Sequence, residues 1–148
     1  MPSHGIRIRR QRRAPAIIRR MKIFPGNDSP SQPADSNTFR GSAQVKRLAG
    51  ADDGVPVVLY HVAFDDGGRT NWHVHSGAQW LQILEGRVRV QRWGEAAHIV
   101  AAGDVVVIAP GEKHWHGAAP GGPGVHLAIN VDVTTEWLEP VSDEQYQS

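Results

Sequence analysis

The sequence predicts an all-β fold, a single small barrel or jelly roll. Three observations carry this. Apolar, β-branched stretches of four to ten residues recur between Gly/Pro turns, as in VPVVLYHVAF, WLQILEG and GDVVVIAPG. Roughly eight to ten such strands fit into 148 residues, the spacing of sandwiches and barrels. No stretch carries the 3.6-residue periodicity of a long helix. At this length the chain supports one domain and one core.

The elements follow in order. Residues 1–22 carry eight bases and no acid, from Arg7 to Lys22. Such an arm cannot bury enough apolar surface to order itself. Its composition suits an anionic partner or a transit peptide. Its paired arginines lack a following apolar region, which argues against a secretory signal. Met21 is an alternative translation start. Pro25 to Ser36, PGNDSPSQPADS, reads as a linker. Residues 1–37 are therefore expected to be a disordered arm and linker, and 38–148 the barrel.

Gln44 to Leu48 is a candidate first strand, and Asp52-Asp53-Gly54 a turn. Val55 to Phe64 is apolar on both faces, as expected of a strand packed inside and covered outside. Pro56 places its start at an edge. After Gly86, RVRVQRW alternates Arg87, Arg89 and Gln91 with Val88 and Val90, which predicts a strand with a solvated arginine face. His98 lies in AAHIVAAG and reads as a surface histidine. Asp104 to Ala109 and His114 to Ala118 read as a hairpin across Pro110-Gly111. Val125 to Val131 puts His126, Ala128 and Asn130 on one face. Ser142 can cap a single terminal helical turn.

Residues outside the arm hold 8 bases against 15 acids, a net of −7. An acidic barrel excludes nucleic acid as its expected partner. No apolar run reaches the roughly 20 residues of a membrane span, so no membrane partner is expected, and the expected compartment is the cytoplasm. There is no cysteine, hence no disulfide and no thiolate metal site.

Gly67 to Gly86, GGRTNWHVHSGAQWLQILEG, carries the chemistry. His73 and His75 are one residue apart on a strand, so both imidazoles face the same way. Gln79 returns on the next strand. Two imidazoles and a third polar side chain can converge on a metal that keeps an open position. His114 and His116 repeat the i, i+2 pattern in GDVVVIAPGEKHWHG.

These stretches resemble the two cupin motifs. Gly67, His73, His75, Gln79 and Gly86 match every spacing of G-x5-H-x-H-x3-(E/Q)-x6-G, and Gly103, Gly111 and His114 match part of the second. Gln79 stands where most cupins have glutamate, Pro110 is displaced by one, and Ala118 replaces the asparagine. The runs PGEKHWHGAAP, HLAIN and SDEQY resemble the small manganese-dependent cupin hydroxynitrile lyases. The resemblance implies a double-stranded β-helix barrel with His73, His75, Gln79 and His114 as ligands of one divalent transition-metal ion per chain. Manganese is the metal it implies, and iron, zinc, nickel or cobalt suit the same N/O ligands. It implies His126 as general base, since an imidazole can accept a cyanohydrin hydroxyl proton, and Tyr60 and Val62 as substrate-pocket wall. His116 shares the His114 face and is a candidate proton-transfer group; Asn130 shares the His126 face and could orient substrate. The implied function is a metal-dependent lyase acting on a small organic molecule. A quercetinase-like metal-dependent dioxygenase and a non-catalytic small-molecule-binding cupin are the alternatives. A homodimer or homotetramer is expected, because five tryptophans offer more apolar surface than a monomer would expose.

Overall fold

The computed structural model describes residues 20–50 and 56–148. Most of the basic arm and the Asp52-Asp53-Gly54 turn lie outside the described residues. The described chain is a curled sheet of twelve strands: β1 (Gln32–Pro33), β2 (Phe39–Arg40), β3 (Ala43–Ala49), β4 (Val57–Phe64), β5 (Arg69–Thr70), β6 (His73–His75), β7 (Gln79–Arg92), β8 (His98–Ala101), β9 (Val105–Ile108), β10 (His114–Ala118), β11 (Gly124–Val131) and β12 (Thr135–Trp137). A five-residue helix, α1 (Asp143–Gln147), follows. No helix among the described residues is long and apolar enough to cross a membrane.

The barrel turns on β7, one continuous 14-residue strand where the sequence suggested two. Its first half pairs with β11 and β9, and its second half with β10 and β8. The switch falls at Gly86, with φ +63°. A Cβ there would lie 2.3 Å from the Pro123 carbonyl oxygen, so the bend both needs left-handed backbone and brings two chains too close for any side chain. A register shift at Val125/His126 on β11 accommodates the same corner.

This topology corrects the predicted hairpin. β9 and β10 do not pair with each other; both pair with β7, on opposite sides of the Gly86 bend. Likewise β6 pairs with β10 and β12 rather than with β7. A strand shared by two sheets separates neighbours that a local reading joins.

The barrel also begins earlier than Thr38. Gln32–Pro33 pairs with Val45 and Gln44 on β3, and Gly26–Asp28 forms a 3-10 turn. Pro33 is tolerated because β1 is an edge strand.

Alternation fixes what faces inward. Leu81, Ile83, Val88, Ile108 and Ala128 form one buried cluster, and Ala43, Val62, Phe64 and Ala118 a second. Fully burying a side chain such as Leu81 contributes about 1.5–3 kcal/mol. A third cluster, of Trp72, Trp115, Val141 and Tyr146, seats the C-terminal segment.

That segment is also held by arginines. Arg69, 6 % exposed, donates to the carbonyls of Val141 and Gly67 and to Asp143. Arg89 donates to the carbonyls of Tyr146 and Ser148. Arg89 is therefore engaged by α1 rather than part of a solvated face. Ser142 caps α1 in a full capping box with Gln145, as its position before the terminal turn predicts.

Candidate metal centre

Side chains of β4, β6, β7, β10 and β11, with β3, β12 and the segment 23–39, line one open cavity of about 960 Å³. Antiparallel register assembles it. His114 stands opposite His73, Asn130 opposite Gln79, and His126 opposite both Ile83 and Val62. Tyr60, Val62, His73, His75, Gln79, His116, His126 and Asn130 all line the cavity. His114, 3 % exposed, joins them through Gln79, whose Oε1 lies 3.3 Å from its Nε2. Every predicted site residue is thus brought to one place.

The tautomers are set by the backbone. A carbonyl oxygen only accepts, so Asn71 O at 2.9 Å fixes the proton of His73 on Nδ1. Glu112 O at 2.7 Å does the same for His114. Both Nε2 atoms are left as lone pairs. His75 Nδ1 is held 2.9 Å from Thr135 Oγ1, and its buried Nε2 has no partner. Anchored Nδ1 with bare Nε2 is how metal-ligating histidines are held. Gln79 Oε1 facing a bare His114 Nε2 opposes two acceptors, an arrangement that a cation relieves. The donor set fits a divalent transition metal.

Among the described residues, the ligand atoms of His73, His114 and His116 lie within 4.8 Å of one another, a cluster able to hold a metal ion. His116 approaches the centre more closely than its sequence position suggested. It differs from His73 and His114 in one respect: no carbonyl fixes its tautomer. Its Nδ1 lies 2.9 Å from His126 Nε2. The outer nitrogens of this pair, His116 Nε2 and His126 Nδ1, are buried without partners. The proton between the rings can belong to either.

All five imidazoles are held neutral. Burial is the first cause in each, and for His73 the neighbouring His114 adds to it. His75 and His116 are also lowered, His116 strongly. His114 is pushed to about 4 and His126 to about 3. Neither titrates near neutral pH as a free imidazole does, so the proton-accepting form is the resident one.

For His126 the consequence for stability has a definite sign. Its unfolded pKa is about 6.5, and its folded pKa is depressed. The stability it contributes is present above pH 6.5 and is lost progressively as pH falls toward 3, at about 1.4 kcal/mol per unit. Between pH 7.5 and 5.0, His126→Phe should therefore lose about 2 kcal/mol less stability than the wild type in urea unfolding. Parallel loss in the two proteins would show that His126 is not held neutral.

Sequence reasoning missed the residues that hold the ligands. Thr135 and Trp137 come from a three-residue strand whose register, Thr135↔His75 and Trp137↔His73, is tertiary. The Asn71 and Glu112 carbonyls each lie two residues before a ligand histidine, a local signal that could have found them. Thr135→Val should lower metal affinity about 10- to 100-fold while leaving the melting temperature within a few degrees. Unchanged affinity by competition with a chelating dye would remove Thr135 from this role.

Residues 60–130 match the cupin domain family. The chain is 42% identical over 118 residues to an (R)-mandelonitrile lyase from Granulicella tundricola, covering 78% of this chain and 88% of that one. Among solved structures, a cupin-like protein from Thermotoga maritima aligns with TM-score 0.75 at 39% identity, over 78% of this chain and 90% of that one. A polyketide cyclase from Streptomyces resistomycificus shares the fold with TM-score 0.69 at 20% identity, over 86% of this chain and 92% of its own. With its two His-x-His strands set edge to edge inside a barrel bent at Gly86, and relatives this near, the chain belongs to the cupin family.

Proposed function

We propose that this cupin is a metal-dependent carbon–carbon lyase that cleaves a cyanohydrin to an aldehyde and hydrogen cyanide. The observation that carries the reading is the pairing of two devices in one cavity: three backbone- or hydroxyl-anchored imidazoles with bare Nε2 atoms beside Gln79, and the His116–His126 couple. The 42% identical mandelonitrile lyase supports it. His73, His75, Gln79 and His114 are the proposed ligands, with manganese the expected ion. Bound there, a divalent ion supplies Lewis acidity, and the neutral donors leave its charge uncompensated.

The chain's own residues handle the proton. His126 takes the cyanohydrin hydroxyl proton at Nδ1, the nitrogen that no partner occupies. His116 Nδ1 holds the other face of the ring at 2.9 Å and shares the charge gained. As the carbon–carbon bond breaks, its electron pair leaves on cyanide, which takes a proton back from the histidine couple. Tyr60 and Val62 wall the substrate, and Asn130, whose buried Oδ1 has no partner, orients it. The test is aldehyde and cyanide release from mandelonitrile by the metal-loaded protein; oxygen uptake on a catechol without cyanide release would favour the dioxygenase reading.

The same protein is proposed to be a homodimer. Two of the five tryptophans, Trp72 and Trp115, are buried within the chain, so they do not supply an interface. An exposed apolar patch lies instead on the outer face of β7, β9 and β11, where Trp80 stands opposite Val107, flanked by Leu84, Val105 and Val131. These five side chains are uncharged, so two copies can bring them together across a two-fold axis without opposing like charges at the centre. Light scattering should show a dimer at micromolar concentration and a shift to monomer for Trp80→Glu/Val107→Lys. A monomeric wild type would contradict it.

A further inference from the structure

The cavity has an aromatic side that the proposed chemistry does not use. Rings run in contact from a proposed ligand to the proposed base. Trp137 lies 4.7 Å from His73 between ring centroids, tilted by 36°. Phe39 follows at 6.1 Å from Trp137, and Phe64 at 6.1 Å from Phe39 with 30° between the planes. Phe64 reaches His126 at 5.3 Å. Trp137 and Phe39 both line the cavity, and Trp137 is 41 % exposed. A tryptophan left this open beside a buried polar cluster has an unfilled face. The cavity, at about 960 Å³, has room for far more than the reacting carbon and its nitrile.

We infer that Trp137 and Phe39 are specificity-determining residues, forming a wall that carries an aryl group on the non-reacting part of the substrate. This rests on the lyase reading for the reacting group only. A ring seated against Trp137 and Phe39 can meet them in the offset or edge-to-face geometry, about 4.5–7 Å between centroids, at which aromatic pairs attract. A saturated ring of the same size gains the area but not the quadrupole. The wall therefore selects for aromatic over saturated cyclic groups. It acts on binding rather than on the bond-breaking step, so its loss raises KM with kcat little changed.

Binding of benzyl alcohol and of cyclohexylmethanol, compared by ligand-observed NMR on the metal-loaded protein, tests this without requiring turnover. Wild type should prefer benzyl alcohol several-fold. Trp137→Leu should bring the ratio near one at unchanged metal content, and Trp137→Phe should keep most of it. If Trp137→Leu releases the metal by unseating His73, Phe39→Leu decides, since Phe39 touches no proposed ligand; its ratio should fall likewise. A wild type without aryl preference overturns the inference, as does a preference that survives Phe39→Leu or a metal-retaining Trp137→Leu. An aryl preference in binding with no cyanohydrin cleavage sustains the wall and removes the lyase reading.

Discussion

His126→Ala should lower cyanohydrin turnover by roughly 10² to 10⁴, the range expected for losing general acid–base assistance, with metal content unchanged. The ring is fully buried and touches His116 and Phe64. None of the proposed ligands depends on it for its tautomer. Because burial holds His126 near 3, wild-type activity should not fall through the ordinary imidazole range as pH drops from 7 to 5. Any limb in that interval belongs to another group. Loss of metal in His126→Ala would make the residue a prop of the centre. Unchanged cleavage with metal retained would remove it from the proton path.

His73→Ala should release the metal. Removing an outer partner of a ligand costs about 10- to 100-fold in affinity, and removing the ligand itself should cost more. His73 is 1 % exposed, fixed by Asn71 O, and adjacent to His75, His114 and Trp137. Its loss breaks the cluster at the centre rather than at the rim. Elemental analysis of the His73→Ala/His114→Ala double variant should find well under one equivalent per chain, and stoichiometric metal would sink the ligand assignment.

The parts of the site legible in the sequence are those written with a period of two. His73 and His75, His114 and His116, and His126 and Asn130 each fall on the inner face because strand side chains alternate, and all six are buried. What the sequence hid depends on partners distant in the chain. The polar Glu85-Gly86-Arg87 interrupts the apolar alternation of β7, so a local reading divides a single strand that serves two sheets. Arg89 looks like any alternating surface arginine until α1 folds back over it. Trp137 and Thr135 sit on a strand too short to show a pattern, and only pairing with β6 brings them to the histidines. Gln32–Pro33 lies in a Pro/Ser-rich run of linker composition, yet it edges the sheet.

The most direct measurement is aldehyde and cyanide release from racemic mandelonitrile by the protein stripped of metal and then reloaded with manganese, with oxygen followed in the same cell. The expected result is no cleavage when stripped, equimolar benzaldehyde and cyanide once about one equivalent of manganese is restored, and no oxygen uptake. Stoichiometric manganese without cleavage, or cleavage at the same rate in the stripped protein, would contradict it.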